Sequence, residues 1–304
     1  METKSPLTID ICVCTFQRPH VAKTLASLSK LILQPHWQIR IIVADNDETP
    51  SAQILVEATA RTQNLNLTYI HVPARNISIA RNACLNAATA PLIAFIDDDE
   101  IATPEWLGAL IAKQQSEKAD VVLGQVEAFY PFGSPRWMEM GDFHSTKPAF
   151  VNGKVITGYT CNVLLTHEIY SHTNLRFLPE LGRTGGEDTV FFSAIHKAGG
   201  KIAYASRAIV TEEVVANRLS LLWLLKRSFR SGQTHGTLLL TNHSDFVSRA
   251  QEITIAATKA AFCYAIAILY VTSPIKWRRW LLRSTLHIGV VVRLLGKSEV
   301  IQYG

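Results

Sequence analysis

Four short apolar runs, at residues 9–15 (IDICVCT), 39–44 (IRIIVA), 67–72 (LTYIHV) and 92–96 (LIAFI), punctuate the first third of the chain. Runs this short and this continuous read as strands buried on both faces. Between them, residues 18–33, 51–61 and 77–88 carry helical spacing, with Pro19 near the start of the first. Strand alternating with helix predicts an α/β fold with a doubly wound, mostly parallel sheet. Such sheets take ligands outside the carboxyl ends of their strands. The polar residues of this segment collect at those ends: Thr15, Asp45 and the triplet Asp97, Asp98, Asp99. Beyond them the pattern predicts a helix at 104–116, strands at 120–129 and 160–165, and irregular structure over 130–153. A helix is expected at 189–198, stopped by Gly199 and Gly200, and short strands at 201–205 and 208–211.

At 304 residues and 48% apolar composition the chain can bury one large α/β core with a smaller appendage. A net charge of +5 suits anionic substrates or anionic lipid, and no nucleic-acid-binding motif accompanies it. The five cysteines are scattered and contain no C-x-x-C. They read as buried thiols in a reducing compartment. The N-terminal segment METKSPLTID lacks an apolar leader, so the catalytic part is expected in the cytoplasm.

Three adjacent acids after a buried strand repel one another unless a cation sits among them. A divalent ion with oxygen ligands satisfies that need and can bridge to a diphosphate. The competing reading is a solvated turn. The segments IDICVCTFQRP (9–19), IIVADND (41–47), RNISIARNACLNAA (75–88), LIAFIDDDE (92–100) and GGEDTVF (185–191) follow one another in the order found in the inverting family 2 glycosyltransferases of GT-A fold. Over about residues 7–215 the chain resembles that family, and within it the glucosyltransferases of succinoglycan-type exopolysaccharide synthesis.

The resemblance implies a Rossmann-like nucleotide-sugar-binding domain at 1–215 and roles for its residues. Thr15, Phe16 and Arg18 would hold the nucleotide, and Asp45 would contact its base. Arg75 and Arg81 would face the nucleotide, although each reads equally as a surface ion pair or helix cap. Asp97 would lie near the ribose, Asp98 beside it, and Asp99 would ligate Mg²⁺ or Mn²⁺. Asp188 is the implied catalytic base, since inverting transfer needs a carboxylate to accept the attacking hydroxyl's proton. Its bland alternative is an acid favoured at a helix N-terminus. Glu187 would share that work or hold the acceptor. Arg227 and Arg230 read as diphosphate contacts or as a solvated basic face. The stretch RSFRSGQTHG replaces the Q-x-x-R-W motif of processive relatives, which points to addition of a single sugar. Trp137 and Tyr159 are candidates for stacking on an acceptor sugar, or core residues.

The C-terminal region, 216–304, differs in kind. No acid occurs between Glu252 and Glu299, while Lys259, Lys276, Arg278, Arg279, Arg283, Arg293 and Lys297 do. The apolar run 260–272 is shorter than the ~20 residues of a spanning helix. Basic residues and Trp277 and Trp280 flank it, as at a bilayer interface. These features predict a helical, membrane-associating region, peripheral or monotopic. Together they lead to transfer of one sugar, glucose by resemblance, from a UDP-sugar to a lipid-linked or oligosaccharide acceptor at the cytoplasmic face of the membrane. A dinucleotide-dependent oxidoreductase is excluded, because the turn after the first strand, TFQRPH, has no glycine. An aspartate-dependent phosphotransferase and a non-catalytic, membrane-bound sugar-binding subunit are the other classes to be weighed.

Overall fold

The computed structural model describes residues 6–242 and 245–297. The outer ends of the two expected domains, and the acid Glu299, lie outside the described residues. The elements, in chain order, begin with β1 (Leu7–Thr15), α1 (Val21–Leu28), β2 (Trp37–Asp45), α2 (Gln53–Gln63), β3 (Leu67–His71), α3 (Ile77–Ala87) and β4 (Leu92–Ile96). There follow β5 (Glu100–Ala102), α4 (Trp106–Glu117), β6 (Val121–Phe129), α5 (Arg136–Met140), β7 (Phe150–Val151) and β8 (Lys154–Val155). The remainder is β9 (Asn162–Thr166), α6 (His167–Thr173), α7 (Glu187–Lys197), β10 (Ile202–Glu213), α8 (Leu221–Asn242), α9 (Phe246–Leu269) and α10 (Lys276–Leu294).

Two compact units divide these elements. The first runs to Phe129 and resumes over Ser145–Glu213; the second comprises Tyr130–His144 and the described chain from Val214 onward. In the first unit an eight-stranded sheet has the order β3-β2-β1-β4-β9-β6-β10-β5. Strands β1 to β4 are mutually parallel where they pair, and β10 is parallel to β6. Strand β9 is antiparallel to both neighbours, β4 and β6. The reason is topological: no helix of the first unit lies between β6 and β9, and without a crossover the returning strand enters from the opposite end. Strand β5, which the sequence pattern did not reveal, pairs antiparallel with the edge of β10.

The uninterrupted apolar runs follow from burial on both faces. Ile9, Ile11 and Val13 of β1 pack with Val21 and Leu25 of α1, Val56 of α2 and Trp106 and Leu110 of α4. Cys12 points the other way, toward Ala80 and Cys84 of α3, Tyr170 of α6 and Phe191 and Phe192 of α7. Each fully buried Leu, Ile or Phe contributes about 1.5–3 kcal/mol.

The second unit is mainly three long helices, with α10 packed along both α8 and α9. At the α8–α10 crossing the backbones nearly touch: a Cβ on Gly232 would lie 1.9 Å from Leu286 O, and one on Gly289 2.0 Å from Phe229 O. Gly232 belongs to the stretch RSFRSGQTHG, so this segment has a packing duty of its own. Helix α9 meets its neighbours along one narrow stripe, Ala256, Ala260, Cys263 and Ala267, while Phe262, Ile268, Leu269 and Val271 are exposed.

Candidate active site

The parallel strands β1, β2 and β4 end side by side, and their last residues carry the expected polar groups. Thr15 pairs in register with Asp45, and Asn46 N–H continues the ladder to Thr15 O at 2.8 Å. Beyond β4 the acids separate by partner. Asp98 is buried; it accepts the Thr15 hydroxyl at 2.7 Å on one oxygen and Arg18 Nη1 at 2.8 Å on the other. The Thr24 hydroxyl donates to its carbonyl at 2.9 Å. Asp99 accepts from the same Arg18 nitrogen at 2.8 Å. Asp97 lies 3.9 Å from Arg81 Nη2. Glu100, absent from the expected set although it directly follows the triplet, accepts the Asp97 N–H at 2.9 Å and closes the acidic turn. Burial, with Asp97 adjacent, raises its carboxyl well above the usual range.

Burial dominates the electrostatics of this tip. Burial pushes the Asp97 carboxyl up to about 7, with Asp99 and Asp98 adding to the rise and Arg81 opposing it. Burial raises Asp98 as well, against the pull of Arg18.

Arg81 links this cluster to a second one. It is buried on α3 and pairs with Glu187 in the first turn of α7. Burial works against its charge, but Glu187, Asp97 and Asp188 hold it protonated. The turn into α7 passes through Gly185 and Gly186, both in the left-handed region at φ 88° and 90°, a conformation that favours glycine. The preceding loop is fastened to α3: Ile77 N–H donates to Gly182 O, and Asn76, the α3 N-cap, donates to Pro179 O at 2.8 Å. Asp188 accepts the Thr189 N–H at 2.6 Å. Burial raises its carboxyl to about 6; Glu187 beside it adds to the rise and Arg81 opposes it.

The loops after β1 and β3 make a further edge. The Arg75 guanidinium stands 5.6 Å from the centre of the Phe16 ring and reaches Glu48 at 3.3 Å. Gln17 and Arg75 both adopt positive φ, 53° and 45°. Such strain in non-glycine residues costs about 1–3 kcal/mol each and collects at functional loops.

The side chains of the other expected residues have the following partners. Asp45 was expected to meet a nucleotide base. Its carboxylate is wholly buried and accepts from Asp47 N–H at 3.1 Å, Ala52 N–H at 2.9 Å and the Tyr69 hydroxyl at 2.6 Å. It therefore shapes the loop from β2 into α2. Asp98 accepts from Thr15 and from Arg18 within the acidic tip. Glu187 is buried and paired with Arg81. Arg227 and Arg230 lie on α8 in the second unit, with Arg227 5.5 Å from the ring centre of Trp223. Tyr159 donates to Gly124 O and is mostly sheltered, while Trp137 in the second unit carries the Arg278 guanidinium at 4.2 Å.

A sheet of this order, with acids at the tip of its central strand, has the architecture of the GT-A type. The chain belongs to glycosyltransferase family 2: the family profile described as "Glycosyl transferase family 2" matches residues 10–173. Over 298 residues, 98% of this chain and 96% of the relative, it is 47% identical to the "Succinoglycan biosynthesis protein ExoM" of Rhizobium meliloti (strain 1021). Among solved structures it is similar to the mannosyltransferase PcManGT from Pyrobaculum calidifontis in complex with GDP-Man and Mn²⁺, with a TM-score of 0.66 at 15% identity over 96% of this chain and 88% of that one. It is also similar to S. aureus TarS 1-349 in complex with UDP-GlcNAc, with a TM-score of 0.54 at 14% identity over 90% of each. Against the longer TarS structure the chain spans 52% of that protein. At these identities the structural likenesses establish the fold alone. The protein is a glycosyltransferase.

Proposed function

We propose that the protein adds a single hexose from a UDP-sugar to a saccharide acceptor with inversion at the anomeric carbon, in synthesis of an exopolysaccharide. The 47% identity to a succinoglycan biosynthesis protein supports the pathway, and the UDP-GlcNAc complex of TarS supports the donor class. The observation that carries the chemistry is the linking of the two acidic clusters through Arg81, on which Asp97, Glu187 and Asp188 all act.

The donor's diphosphate belongs at that tip. Among the described residues no three His, Cys, Asp or Glu side chains converge as a metal-binding group, because Asp98 is turned to Thr15 and Arg18. Two carboxylates, Asp97 and Asp99, are what this tip offers, and magnesium is commonly held by one or two carboxylates together with substrate phosphates. Asp99 with Asp97 would hold Mg²⁺ or Mn²⁺, the ion taking the place of the proton that burial favours on Asp97. When bound, the ion neutralises the leaving diphosphate. Arg18 fixes Asp99, and Glu100 fixes the backbone at Asp97.

Asp188 takes the proton from the acceptor hydroxyl while its oxygen bonds to the anomeric carbon and the bond to the diphosphate breaks. A carboxyl raised to about 6 is ionised at neutral pH yet more basic than an ordinary aspartate, as general-base work requires. Arg81 absorbs the charge of Glu187, so one carboxylate of the adjacent pair is left to act as base.

The acceptor is a lipid-linked saccharide and the protein works at the cytoplasmic face of the membrane, held by the region from residue 216 onward. In support, α9 is long and apolar enough by length and composition to cross a bilayer, with a mean hydropathy of 1.5 and 22% of that stretch buried. Lys276, Arg278, Arg279 and Arg283 follow it, which suits an anionic lipid surface.

Incubation with Mn²⁺ and a panel of UDP- and GDP-sugars, with nucleotide release as the readout, tests the donor. Release from one or more UDP-sugars, lost in Asp99→Ala, is the expected result. Release confined to GDP-sugars rejects the donor class.

A further inference from the structure

The loop 156–161 continues the site beyond Asp188. Thr157 donates its hydroxyl to the carbonyl of Thr189, the residue after the base, at 2.8 Å. Two residues on, Tyr159 donates to Gly124 O on β6. At that point β6 outruns β9: their pairing ends at Leu123 with Val163. The rest of β6 presents Gln125 and Glu127 on the face that Leu123 shares with α7. Tyr204 of β10 donates to Gln125 Oε1 at 2.9 Å, and Gln125 Nε2 donates to Glu127 Oε1 at 2.8 Å. Phe150 of β7 stands edge-on to Tyr204, with centroids 6.2 Å apart and planes at 75°. Gln125, Glu127 and Tyr204 are half-buried and Phe150 is exposed.

A fixed scaffold lies beneath this patch. The β10 ladder breaks register between Tyr204 and Ile209, and a bulge of that kind re-aims side chains beside functional sites. Asn162, fully buried, pins it: Nδ2 donates to Gln125 O and Ala208 O at 2.9 Å each, while Oδ1 accepts from Trp106 Nε1 at 2.8 Å. A Cβ on Gly124 would come within 2.2 Å of Asn162 Oδ1 and 2.5 Å of Ala208 O, so only glycine admits this clamp.

From this we infer that Phe150, Tyr204, Gln125 and Glu127 form the subsite for the acceptor sugar, a neutral hexopyranoside. The inference rests on the glycosyltransferase reading above and adds the residues that recognise its second substrate. A carboxylate beside a carboxamide matches vicinal hydroxyls, donor to acceptor, and hydrogen bonds to the charged partner are the stronger ones. The two rings set at right angles offer an apolar wall to the C–H face of a pyranose. Glu127 would repel a diphosphate, which separates this subsite from the donor's.

The test is saturation-transfer NMR on the full chain with UDP and Mn²⁺ present and methyl β-glucoside and methyl β-galactoside as probes, alongside UDP binding by calorimetry. The wild type transfers saturation to the ring protons of at least one probe. In Glu127→Gln that binding weakens about tenfold, the size expected for one hydrogen bond to a charged group; in Phe150→Ala it weakens through loss of the apolar wall; UDP binding is retained in both. Equal glycoside binding in both variants and wild type overturns the subsite, as does silence of both glycosides in a protein that binds UDP. Failure of the wild type to bind UDP overturns the donor reading, and the subsite with it. Phe150 and Glu127 lie at the surface of different strands, so a folding defect in one leaves the other to decide.

Discussion

Asp188 and Arg81 show how single residues set the chemistry. Asp188 must be ionised to accept a proton, and its carboxyl is raised to about 6 by burial and by Glu187. Raising an acid's pKa favours its protonated form, so the active form is gained as pH rises. We expect kcat/KM to climb through an acid limb near pH 6 and level off above it. Asp188→Asn should lose about 10²–10⁴-fold in kcat with UDP affinity kept, and steady-state assays across pH 4.5–8 check both. Arg81→Met strips Glu187 of its buried partner. Breaking a buried pair on one side costs about 3–5 kcal/mol, a loss that thermal or denaturant unfolding would register even without substrate. Sequence order alone could nominate Arg81 yet leave it between an ion pair and a nucleotide contact. Its partner Glu187 lies 106 residues along the chain, and only folding brings α3 against α7. The same holds in reverse for Asp45: the strand-end position was legible, but the burial that commits its oxygens to Asp47, Ala52 and Tyr69 was not.

At the scale of elements, the strands that end in polar residues were readable because burial on both faces leaves an uninterrupted apolar signature. Strands β1 to β4 and helices α2 and α3 fall within a residue or two of their expected limits. Strands β5, β7 and β8 and helices α5 and α6 escaped, α5 and β7 within the stretch 130–153 expected to be irregular. Strand β5 spans Glu100–Ala102, too short for any periodicity to register, and its acid end reads as a continuation of the triplet. The two short strands expected at 201–205 and 208–211 are one strand bent by the bulge at Tyr204 and Ile209, which Asn162 dictates from a distant strand. The crossing of α8 and α10 yields a prediction at this scale. Gly232→Val would force the backbones apart where a Cβ already meets Leu286 O at 1.9 Å. We expect overpacking to destabilise by about 1–3 kcal/mol or more, visible as a lowered Tm.

At the scale of the molecule, the two units carry opposite surface logics. In the first, large apolar side chains are spent on the two faces of a sheet. In the second, α9 holds its neighbours through small residues and leaves Phe262 and Leu269 exposed, at 59% and 75%, with Val271 just beyond its end exposed at 65%. Lys276 lies 5.1 Å from the ring centre of Tyr270, and Arg283 5.4 Å from that of Trp280, so charge and aromatic faces alternate at the start of α10. Liposome flotation should recover the wild type with vesicles containing anionic lipid. Leu269→Glu combined with Val271→Glu should reduce recovery, and raised salt should weaken the electrostatic part, worth about 1 kcal/mol per basic residue at the surface. Wild-type recovery by the double variant would remove this surface from consideration.

Taken alone, the sequence determined the layered α/β class, the strand ends where ligands gather, and the apolar, basic character of the last helices. These follow from local periodicity and composition, which need no knowledge of distant partners. Tertiary structure decided which acids face outward and which are consumed internally, how Arg81 joins two clusters a hundred residues apart, and where β10 bends. Each of those outcomes depends on side chains far apart in the chain competing for the same hydrogen bonds in a space from which water is excluded.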